Sequence, residues 1–341
     1  MNVKMLFFLL CFPMTALSQQ GNTNFKQAEQ AQWVEKRTVK LMGSRFDLTI
    51  VAQDKTSAQA YIDTAVIEIT RIENLISEWI PNTQVSAINR NAGIKPVKVD
   101  KELFDLTERA LYLSKLTHGA FDISFAAADK IWKFDGSMLT VPTPEAVKAS
   151  LKNIGYKNIK LDSKNQTIFL ALPGMKIGFG ATGKGYAADR TKALLLSKNV
   201  IAGIINASGD MNSWGKQPDG TPWTVGITDP FDTENTMSVF ALENNAVVTS
   251  GTYEKYVELD GKRYAHIIDP RTGYPAKGVA SVTIFANSAE MANGLSTAIV
   301  VLGIKRGLKL LNQTKSMSGL LIDDHGKVYR SNNLKIEPIE P

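Results

Sequence analysis

The sequence predicts an α+β fold in which mixed or antiparallel sheets pack against helices. Three observations indicate this class: predicted strands and helices follow one another without strict alternation, residues 253–269 have a hairpin pattern, and residues 55–79 have an amphipathic helical pattern. Of the 341 residues, 44% are hydrophobic and 21% are charged, a globular composition that can bury a substantial core. No repeat, low-complexity tract or obvious linker interrupts the chain, so we expect a single module.

Extended structure is predicted for residues 38–52, and three helices follow. The first covers residues 55–79, where apolar side chains recur every three or four positions. The second runs from about Leu103 to His118, and Gly119 is a natural C-terminal stop. The third opens at Thr143-Pro144-Glu145, where a capping threonine precedes a first-turn proline.

Strands dominate the next part of the chain. A hairpin is predicted for residues 158–172, a strand enters the segment 178–185, and a helix leaves that segment from Tyr186. Residues 201–205 are apolar and extended. The later predicted elements are a hairpin over residues 253–269 joined by Asp260-Gly261, a helix over residues 289–302 and a closing hairpin near residues 323–326.

Residues 1–18 have the features of a signal peptide. Lys4 gives a positive start, an apolar run covers residues 5–13, and Ala16-Leu17-Ser18 has the small-x-small pattern of a cleavage site. The apolar run is too short to span a bilayer. Cys11, the single cysteine, follows a leucine rather than a small residue, so we do not expect a lipid anchor.

The mature chain would begin near Gln19 without any cysteine, which suits a periplasmic protein with a full-sized core. We expect a flexible lead-in over residues 19–37 and a folded domain over residues 38–341. No later segment is apolar and long enough to be an integral membrane segment. The net charge of +6 is mild and no Lys/Arg run is present, so nucleic acid is not an expected partner.

A glycine-rich segment, residues 178–185, is suited to approach a phosphate through backbone amides at the start of a helix. Residues 178–184 match the first seven positions of a P-loop, but Gly185 stands at the eighth, where Ser or Thr holds magnesium. An exported protein also meets little ATP or GTP, so we reject the P-loop interpretation. Taken alone, the segment is equally consistent with a tight turn that binds no ligand.

Three further sets of residues are candidates for chemistry. The turn Asn206–Asp210 follows a buried strand and suits a ligand crevice, while His266 lies where a strand passes into a Pro/Gly loop, a good place for a general base. Glu290, Asn293 and Thr297 share one helical face and offer oxygen ligands to a hard cation such as magnesium. Each set has a plain alternative: a simple turn, a structural histidine and a solvent-facing polar stripe.

In their joint order, these segments resemble the ApbE family of FAD:protein FMN transferases, from about Val39 to about Asn312. Any one of the matching motifs would be weak support, but their shared order and compatible spacing make the resemblance specific. The motifs are Met42-Gly43-Ser44, Glu78–Pro81 with Ser86–Asn89, Gly119–Asp122, Gly180–Asp189, Asn206–Asp210, Ser250–Glu254, His266–Gly273 and Leu295–Ala298.

The resemblance implies an ApbE-like, T-fold-related module that binds FAD and Mg²⁺. Members of the family cleave the pyrophosphate of FAD and attach FMN, through a phosphoester bond, to a Thr or Ser of a partner flavoprotein, with release of AMP. For an exported member, the implied acceptor is a membrane-associated redox subunit that is modified on the outer side of the membrane.

The resemblance also implies which residues form the site. Lys184 and His266 are the implied catalytic residues, with His266 as the base for the acceptor hydroxyl. The implied metal ligands are the carbonyl of Ala181 and the side chains of Asn293 and Thr297. The implied cofactor-binding residues are Met42, Trp79, Asp122, Ala181, Lys184, Ser250, Gly251, His266 and Ile267.

Three departures from the family pattern bear on these expectations. Trp79 replaces the usual tyrosine over the flavin, and Ser208 replaces the first glycine of a Gly-Gly-Asp turn. Asn293 stands where the family has a metal-binding aspartate, and its amide oxygen contributes no charge. One hypothesis is that Glu290, a turn earlier, supplies the missing charge.

Two alternative functions stay open: an FAD pyrophosphatase that releases FMN and AMP, and a non-catalytic FAD-binding protein.

Overall fold

Antiparallel strands and helices make up the part of the chain that the computed structural model describes, residues 32–336 and 338–339. The strands, in chain order, are β1 Trp33–Leu41, β2 Ser44–Ala52, β3 Val97–Lys98, β4 Ile159–Asp162, β5 Thr167–Leu170, β6 Ala202–Ala207, β7 Asp210–Trp214, β8 Trp223–Asp229, β9 Asp232–Leu242, β10 Ala246–Gly251, β11 Tyr256–Leu259, β12 Lys262–Ala265, β13 Ser281–Ala286, β14 Met317–Ile322, β15 Val328–Arg330 and β16 Pro338–Ile339. The helices are α1 Lys55–Ile76, α2 Gln84–Arg90, α3 Lys101–Leu116, α4 Pro144–Ser150, α5 Gly183–Ser197, α6 Ala289–Leu302 and α7 Ile304–Gln313, with 3-10 turns at Ile123–Ala127 and Tyr156–Asn158. The predicted α+β class with antiparallel sheets and packed helices is confirmed.

Eight of the strands form one central sheet in the order β1-β2-β6-β7-β10-β13-β14-β15. Each neighbouring pair in this sheet is antiparallel. Three smaller sheets accompany it, formed by β16-β9-β8, by β3-β5-β4 and by the hairpin β11-β12. The long strands β1 and β2 are joined by a turn at Met42-Gly43, where both residues have positive φ angles.

The middle of the central sheet is buried on both faces, which explains why strands such as β10 and β13 are largely apolar. In β10, Val248 belongs to the large cluster of buried side chains that includes the helices. Its neighbour Val247 belongs to a second cluster, together with Trp223 of β8 and Phe240 of β9. Because successive side chains of a strand point to opposite faces, the sheet lies between a helical layer and the small sheet that contains β8 and β9.

Three helices, α1, α5 and α6, cover the helical face of the central sheet, and α5 contacts both α1 and α6. Helix α6 lies against β10 and β13, and α5 lies against β6 and β7. Isoleucines at three- and four-residue spacing bury the inner face of α1. This packing brings the beginning of α5 and the middle of α6 close to the end of β10.

Most predicted elements are present with small shifts of their ends. Helix α6 has the predicted bounds, because Ser288 caps its first turn and Gly303 follows its last residue. The other confirmed elements are the β1–β2 pair, helices α3 and α4, the β4–β5 hairpin, strand β6, the β11–β12 hairpin and the closing β14–β15 hairpin.

Three expectations were wrong in detail. Residues 33–37, assigned to the flexible lead-in, belong to β1 because they pair with residues 48–52 of β2. Helix α1 ends at Ile76 rather than Trp79, since the hydroxyl of Ser77 accepts the next free backbone N–H groups. No strand enters residues 178–185. The alternating apolar residues before it have no strand to pair with, and α5 already begins at Gly183.

Several elements were not predicted, namely α2, α7 and the strands β3, β7, β8, β9, β10, β13 and β16. The predicted signal peptide, residues 1–18, lies outside the described residues. Within the described residues, no helix combines the length and apolar character that a membrane crossing requires.

Candidate active site

A cleft with a volume of ≈ 580 Å³ lies beside α6, the beginning of α5 and the segments that follow β10 and β12. Its wall brings together residues from motifs that are far apart in the sequence. The predicted site residues that line it are Trp79, Asp122, Ala181, Lys184, Ser250, Gly251, His266, Ile267, Asn293 and Thr297. The two segments on which a metal and diphosphate site would depend, around Lys184 and around Thr297, therefore share one cleft.

Lys184 lies in the first turn of α5, and its ammonium group reaches the turn between β6 and β7. The Nζ atom lies 2.9 Å from Oδ2 of Asp210 and donates to the carbonyl of Ala207 at 3.2 Å. Asp210 is 2% exposed, and this burial raises its pKa to about 6 although the charge of Lys184 opposes the shift. The ammonium group is partly exposed and so can face an anion in the cleft.

A short network of hydroxyl groups joins β10 to α6 beside Asn293. The Oγ atom of Ser250 lies 2.8 Å from Oγ of Ser296 and 3.4 Å from Oγ1 of Thr297. Ser296 is fully buried and also donates to the carbonyl of Asn293 at 3.0 Å. These contacts hold α6 against the end of β10, and they leave Asn293 and Thr297 on the wall of the cleft.

The oxygen atoms at this place fit a hard cation. The Oδ1 atom of Asn293 is buried and has no hydrogen-bond partner among the described residues. Leaving such an atom unpaired costs roughly 1–3 kcal/mol, so a ligand that binds it is favoured. Within residues 32–336 and 338–339, no group of three or more His, Cys, Asp or Glu side chains could hold a metal. The magnesium ligands that the family resemblance implies, Ala181, Asn293 and Thr297, would offer neutral oxygens, and substrate phosphates would supply the negative charge.

His266 follows β12 and is held in one orientation by the backbone. Its Nδ1 atom lies 3.0 Å from the carbonyl oxygen of Lys255. A carbonyl only accepts, so Nδ1 carries the proton and Nε2 keeps a free lone pair. Burial lowers the pKa of His266, which favours the neutral ring at pH 7. This is the arrangement that a general base requires.

Asp122 and Trp79 line the cleft in different ways. The carboxylate of Asp122 accepts hydrogen bonds from the backbone N–H and hydroxyl of Ser124 and from the backbone N–H of Tyr156. Burial raises the pKa of Asp122, and these hydrogen bonds oppose the shift. Trp79 is 72% exposed, with the Lys130 ammonium 4.3 Å from its ring centre. Asp122 thus holds two segments of the cleft wall together, while the exposed aromatic ring of Trp79 is available for contact with a ligand.

Met42 and Glu290 lie outside this cleft. Met42 is not among the residues that line the cleft; it lies in the β1–β2 turn and packs beside Gly183 at the start of α5. Glu290 does not supply the charge that Asn293 lacks. Its carboxylate lies 2.8 Å from the guanidinium of Arg109, on α3, and lines a different groove from the cleft.

Other cleft residues carried no predicted role. Glu78, Asp210 and Glu254 lie within the recognised motifs, so their acidic side chains could have been noticed in the sequence. Burial raises the pKa of Glu254, and the nearby charge of Lys184 opposes this. Trp132 belongs to a segment without a motif, and the sequence gives no signal for it. Its indole donates to the carbonyl of Gly273 at 2.9 Å.

Sequence comparisons relate most of the chain to one family. The model of the ApbE family matches residues 42–321. An FAD:protein FMN transferase of Klebsiella pneumoniae (strain 342) is 31% identical over 304 residues, which cover 88% of this chain and 93% of that protein. An FAD:protein FMN transferase of Treponema pallidum (strain Nichols) is 34% identical over 274 residues, 76% of each chain.

Solved structures show the same relationship. The ApbE protein of Thermotoga maritima superposes with a TM-score of 0.81 at 33% identity, covering 89% of this chain and 98% of that one. The flavin transferase ApbE of Vibrio cholerae gives a TM-score of 0.79 at 26% identity, covering 89% of this chain and 99% of that one. The ApbE-like fold is therefore confirmed, and the chain belongs to the ApbE family.

Proposed function

We propose that this chain is an FAD:protein FMN transferase that cleaves FAD in the presence of Mg²⁺ and attaches FMN to a Thr or Ser of an acceptor flavoprotein. Two relatives that align with most of the chain are named FAD:protein FMN transferase. The observation that carries the proposal is the convergence, in one cleft, of the ammonium of Lys184, the unpaired oxygen of Asn293 and the neutral ring of His266.

The reaction needs a nucleophile, a base and stabilisation of the leaving group. The hydroxyl oxygen of the acceptor attacks the phosphorus of the FMN half, and a new P–O bond forms. The bond from that phosphorus to the bridging oxygen breaks, and AMP leaves with the bridging oxygen. The hydroxyl proton passes to Nε2 of His266, which is free because Nδ1 faces the carbonyl of Lys255.

Lys184 binds the diphosphate in this scheme. Its ammonium lies on the cleft wall beside Asn293 and Thr297, and its pairing with Asp210 fixes the position of Nζ. A magnesium ion held by Ala181, Asn293 and Thr297 would supply further positive charge that neutralises the diphosphate and the departing phosphate. The exposed ring of Trp79 and the apolar wall that includes Ile267 bind the isoalloxazine.

We also propose that the chain is exported to the periplasm and modifies a membrane-associated redox subunit there. The support is the signal-peptide pattern of residues 1–18. Cell fractionation tests this: the full chain should be processed and found in the periplasmic fraction, and deletion of residues 2–18 should retain it in the cytoplasm. If the full chain and the deletion variant divide equally between periplasm and cytoplasm, the proposal of export is wrong.

The activity is tested with the purified chain from Gln19 onward, FAD, MgCl₂ and a flavoprotein subunit that accepts phosphoester-linked FMN. Transfer predicts flavin fluorescence on the denatured acceptor, together with one AMP for each FMN attached. Free FMN and AMP without labelling would indicate a pyrophosphatase, and intact FAD would indicate a binding protein. An acceptor whose target Thr is changed to Val is the control.

A further inference from the structure

Asp189 lies on α5, but its carboxylate caps the beginning of α6. Its Oδ1 atom accepts the backbone N–H of Ala289 at 2.8 Å, and its Oδ2 atom accepts the backbone N–H of Glu290 at 3.1 Å. Oδ2 also accepts the hydroxyl of Ser288 at 2.7 Å, and that hydroxyl accepts the N–H of Met291. The first two backbone N–H groups of α6 thus donate to a residue of α5, and the third donates to a serine hydroxyl that is itself bound to that residue.

The same carboxylate reaches the central sheet. Its Oδ1 atom accepts a hydrogen bond from Nδ2 of Asn212, on β7, at 2.6 Å. The amide oxygen of Asn212, Oδ1, accepts a hydrogen bond from the ammonium of Lys192 at 2.9 Å. Lys192 lies on α5, as Asp189 does. Asp189 therefore joins three elements, α5, α6 and β7, through one side chain.

A second contact between the two helices lies one turn before Asp189. A Cβ atom placed on Gly185 would lie 2.3 Å from the carbonyl oxygen of Ala289, far inside van der Waals contact. The backbones of α5 and α6 therefore touch at this point. Positions 185 and 189 face the same side of α5, because residues four apart are neighbours on a helix. Together the two contacts fix α6 along its axis and about its axis.

The proposed metal and diphosphate ligands lie directly beyond these contacts. Lys184 precedes Gly185 on α5, and Asn293 and Thr297 lie one and two turns after the capped end of α6. An α-helix rises about 1.5 Å per residue, so a small slip of α6 moves both oxygens by a large fraction of a metal–ligand distance. Because Asn293 brings no charge, affinity at this site depends strongly on the positions of its oxygens.

We propose that Asp189 is a positioning residue for the divalent cation and diphosphate site, acting by fixing α6 relative to α5. The proposal rests on the proposed function, since it assumes that Asn293 and Thr297 bind the cation. Asp189 itself touches neither substrate nor cation, and it is not among the residues that line the cleft. Its effect passes through the cap of α6.

The test compares metal binding by wild type and Asp189→Asn. An amide at this position would turn an NH₂ group toward backbone N–H donors, so the cap and the α6 position are lost while the size of the side chain is kept. We expect the affinity for Mn²⁺, titrated with and without FAD and followed by the electron paramagnetic resonance signal of free Mn²⁺, to fall about tenfold or more. Transfer activity should fall at fixed Mn²⁺ and recover partly at high Mn²⁺.

Asp54→Asn is the matched control. Asp54 caps α1 by accepting the N–H of Ser57 at 2.9 Å, and the cap lies within that helix. This variant should lower the melting temperature without changing the affinity for Mn²⁺. If Asp189→Asn does not fold, Ser288→Ala removes a single hydroxyl of the cap and should give a smaller loss of Mn²⁺ affinity.

The outcomes separate this proposal from the proposed function. If wild type binds no Mn²⁺ in the presence of FAD, the metal site itself is absent. If wild type binds Mn²⁺ and the folded Asp189→Asn and Ser288→Ala variants bind it equally well, the positioning role is overturned while the proposed function stands.

Discussion

Lys184 and Asp210 form an ion pair of which the lysine alone remains accessible. Their charged atoms are 2.9 Å apart, and the carboxylate of Asp210 is almost fully buried behind the ammonium. A buried carboxylate is costly unless it is paired, so the lysine is held on the cleft wall by its partner. The cation that we propose to bind the diphosphate is thus held in position by the fold itself.

This pair makes stability depend on pH. Because burial raises the pKa of Asp210 from 3.8 to about 6, the folded protein holds a proton that the unfolded chain releases between these values. The contribution of Asp210 to the free energy of unfolding therefore falls as pH rises from about 4 to about 6. Asp210→Asn should remove this fall, so that the difference in unfolding free energy between variant and wild type grows by on the order of 3 kcal/mol. Urea unfolding from about pH 3.5 to about pH 7.5 measures this difference, and a constant difference across that range would contradict the prediction.

Replacement of His266 should remove the base without removing the substrate. We expect His266→Gln to lower the rate of transfer by about 10²- to 10⁴-fold, with FAD affinity changed by about threefold or less. Because burial lowers the pKa of His266 below its usual 6.5, the rising limb of the wild-type pH–rate profile should lie below pH 6.5 and vanish in the variant. Transfer kinetics with flavin-binding titrations test this; a loss confined to FAD affinity would assign His266 to binding.

A carboxylate in place of Asn293 should raise the affinity for Mg²⁺ and lower the stability of the metal-free protein. We expect Asn293→Asp to bind Mg²⁺ about tenfold more tightly, because a charged ligand replaces a neutral one. In EDTA the same variant should melt at a lower temperature than wild type, since its buried charge would be unpaired, and Mg²⁺ should restore it. Calorimetric titration and thermal melting measure the two effects.

The matched control at this position is Asn293→Leu, which removes the unpaired Oδ1 atom and keeps the branched shape of the side chain. It should melt at a higher temperature than wild type without metal and should bind no Mg²⁺. Full Mg²⁺ affinity in Asn293→Leu would show that the ion binds elsewhere.

The contact between α5 and α6 predicts a large difference between two glycines. Gly185→Ala should lower the free energy of unfolding by about 1–3 kcal/mol, because its Cβ meets the backbone of Ala289, which must move. Gly180→Ala is the control: a Cβ there would meet no atom within 4 Å, so stability should change by less than about 0.5 kcal/mol. Urea unfolding decides, and equal effects would contradict the close approach of the helices.

Trp79 should contribute to flavin binding and little to stability. We expect Trp79→Ala to weaken FAD binding by about three- to tenfold, since an aromatic pair contributes roughly 0.5–1.5 kcal/mol beyond its buried area. Its melting temperature should stay close to that of wild type because the side chain is 72% exposed. Quenching of flavin fluorescence measures affinity, and Trp79→Tyr should retain most of it. Unchanged affinity in Trp79→Ala would place the isoalloxazine elsewhere.

Elements with local signals could be predicted from the sequence. The bounds of α6 follow from the cap at Ser288 and from Gly303, and the motifs predicted the segments that meet in the cleft. The segment before Gly178 has the apolar alternation of a strand but pairs with side chains instead: the backbone of Ile177 bonds to the amide of Asn89 at 2.8 and 3.0 Å. That partner is distant in sequence, so periodicity alone could not reveal it.

The direction in which each side chain of the site points could not be predicted from helical spacing. Helical spacing placed Glu290, Asn293 and Thr297 on one face, yet Glu290 turns toward Arg109 of α3, a partner that the sequence does not reveal. The cap that Asp189 gives to α6 joins residues about a hundred positions apart, and no local pattern indicates it. Motifs thus predicted which segments meet, and the structure was needed to show which side chains face the cleft.

The packing of Gly185 on Ala289 also limits what this scaffold can become. The segment from Gly178 to Lys184 lacks one hydroxyl residue to complete a triphosphate-binding loop, and a single codon change to serine would supply it in sequence terms. Such a serine would instead drive its side chain into the backbone of the neighbouring helix. A hydroxyl side chain at position 185 would therefore force α5 and α6 apart at the point where their backbones touch, beside the cleft that holds Lys184 and Asn293.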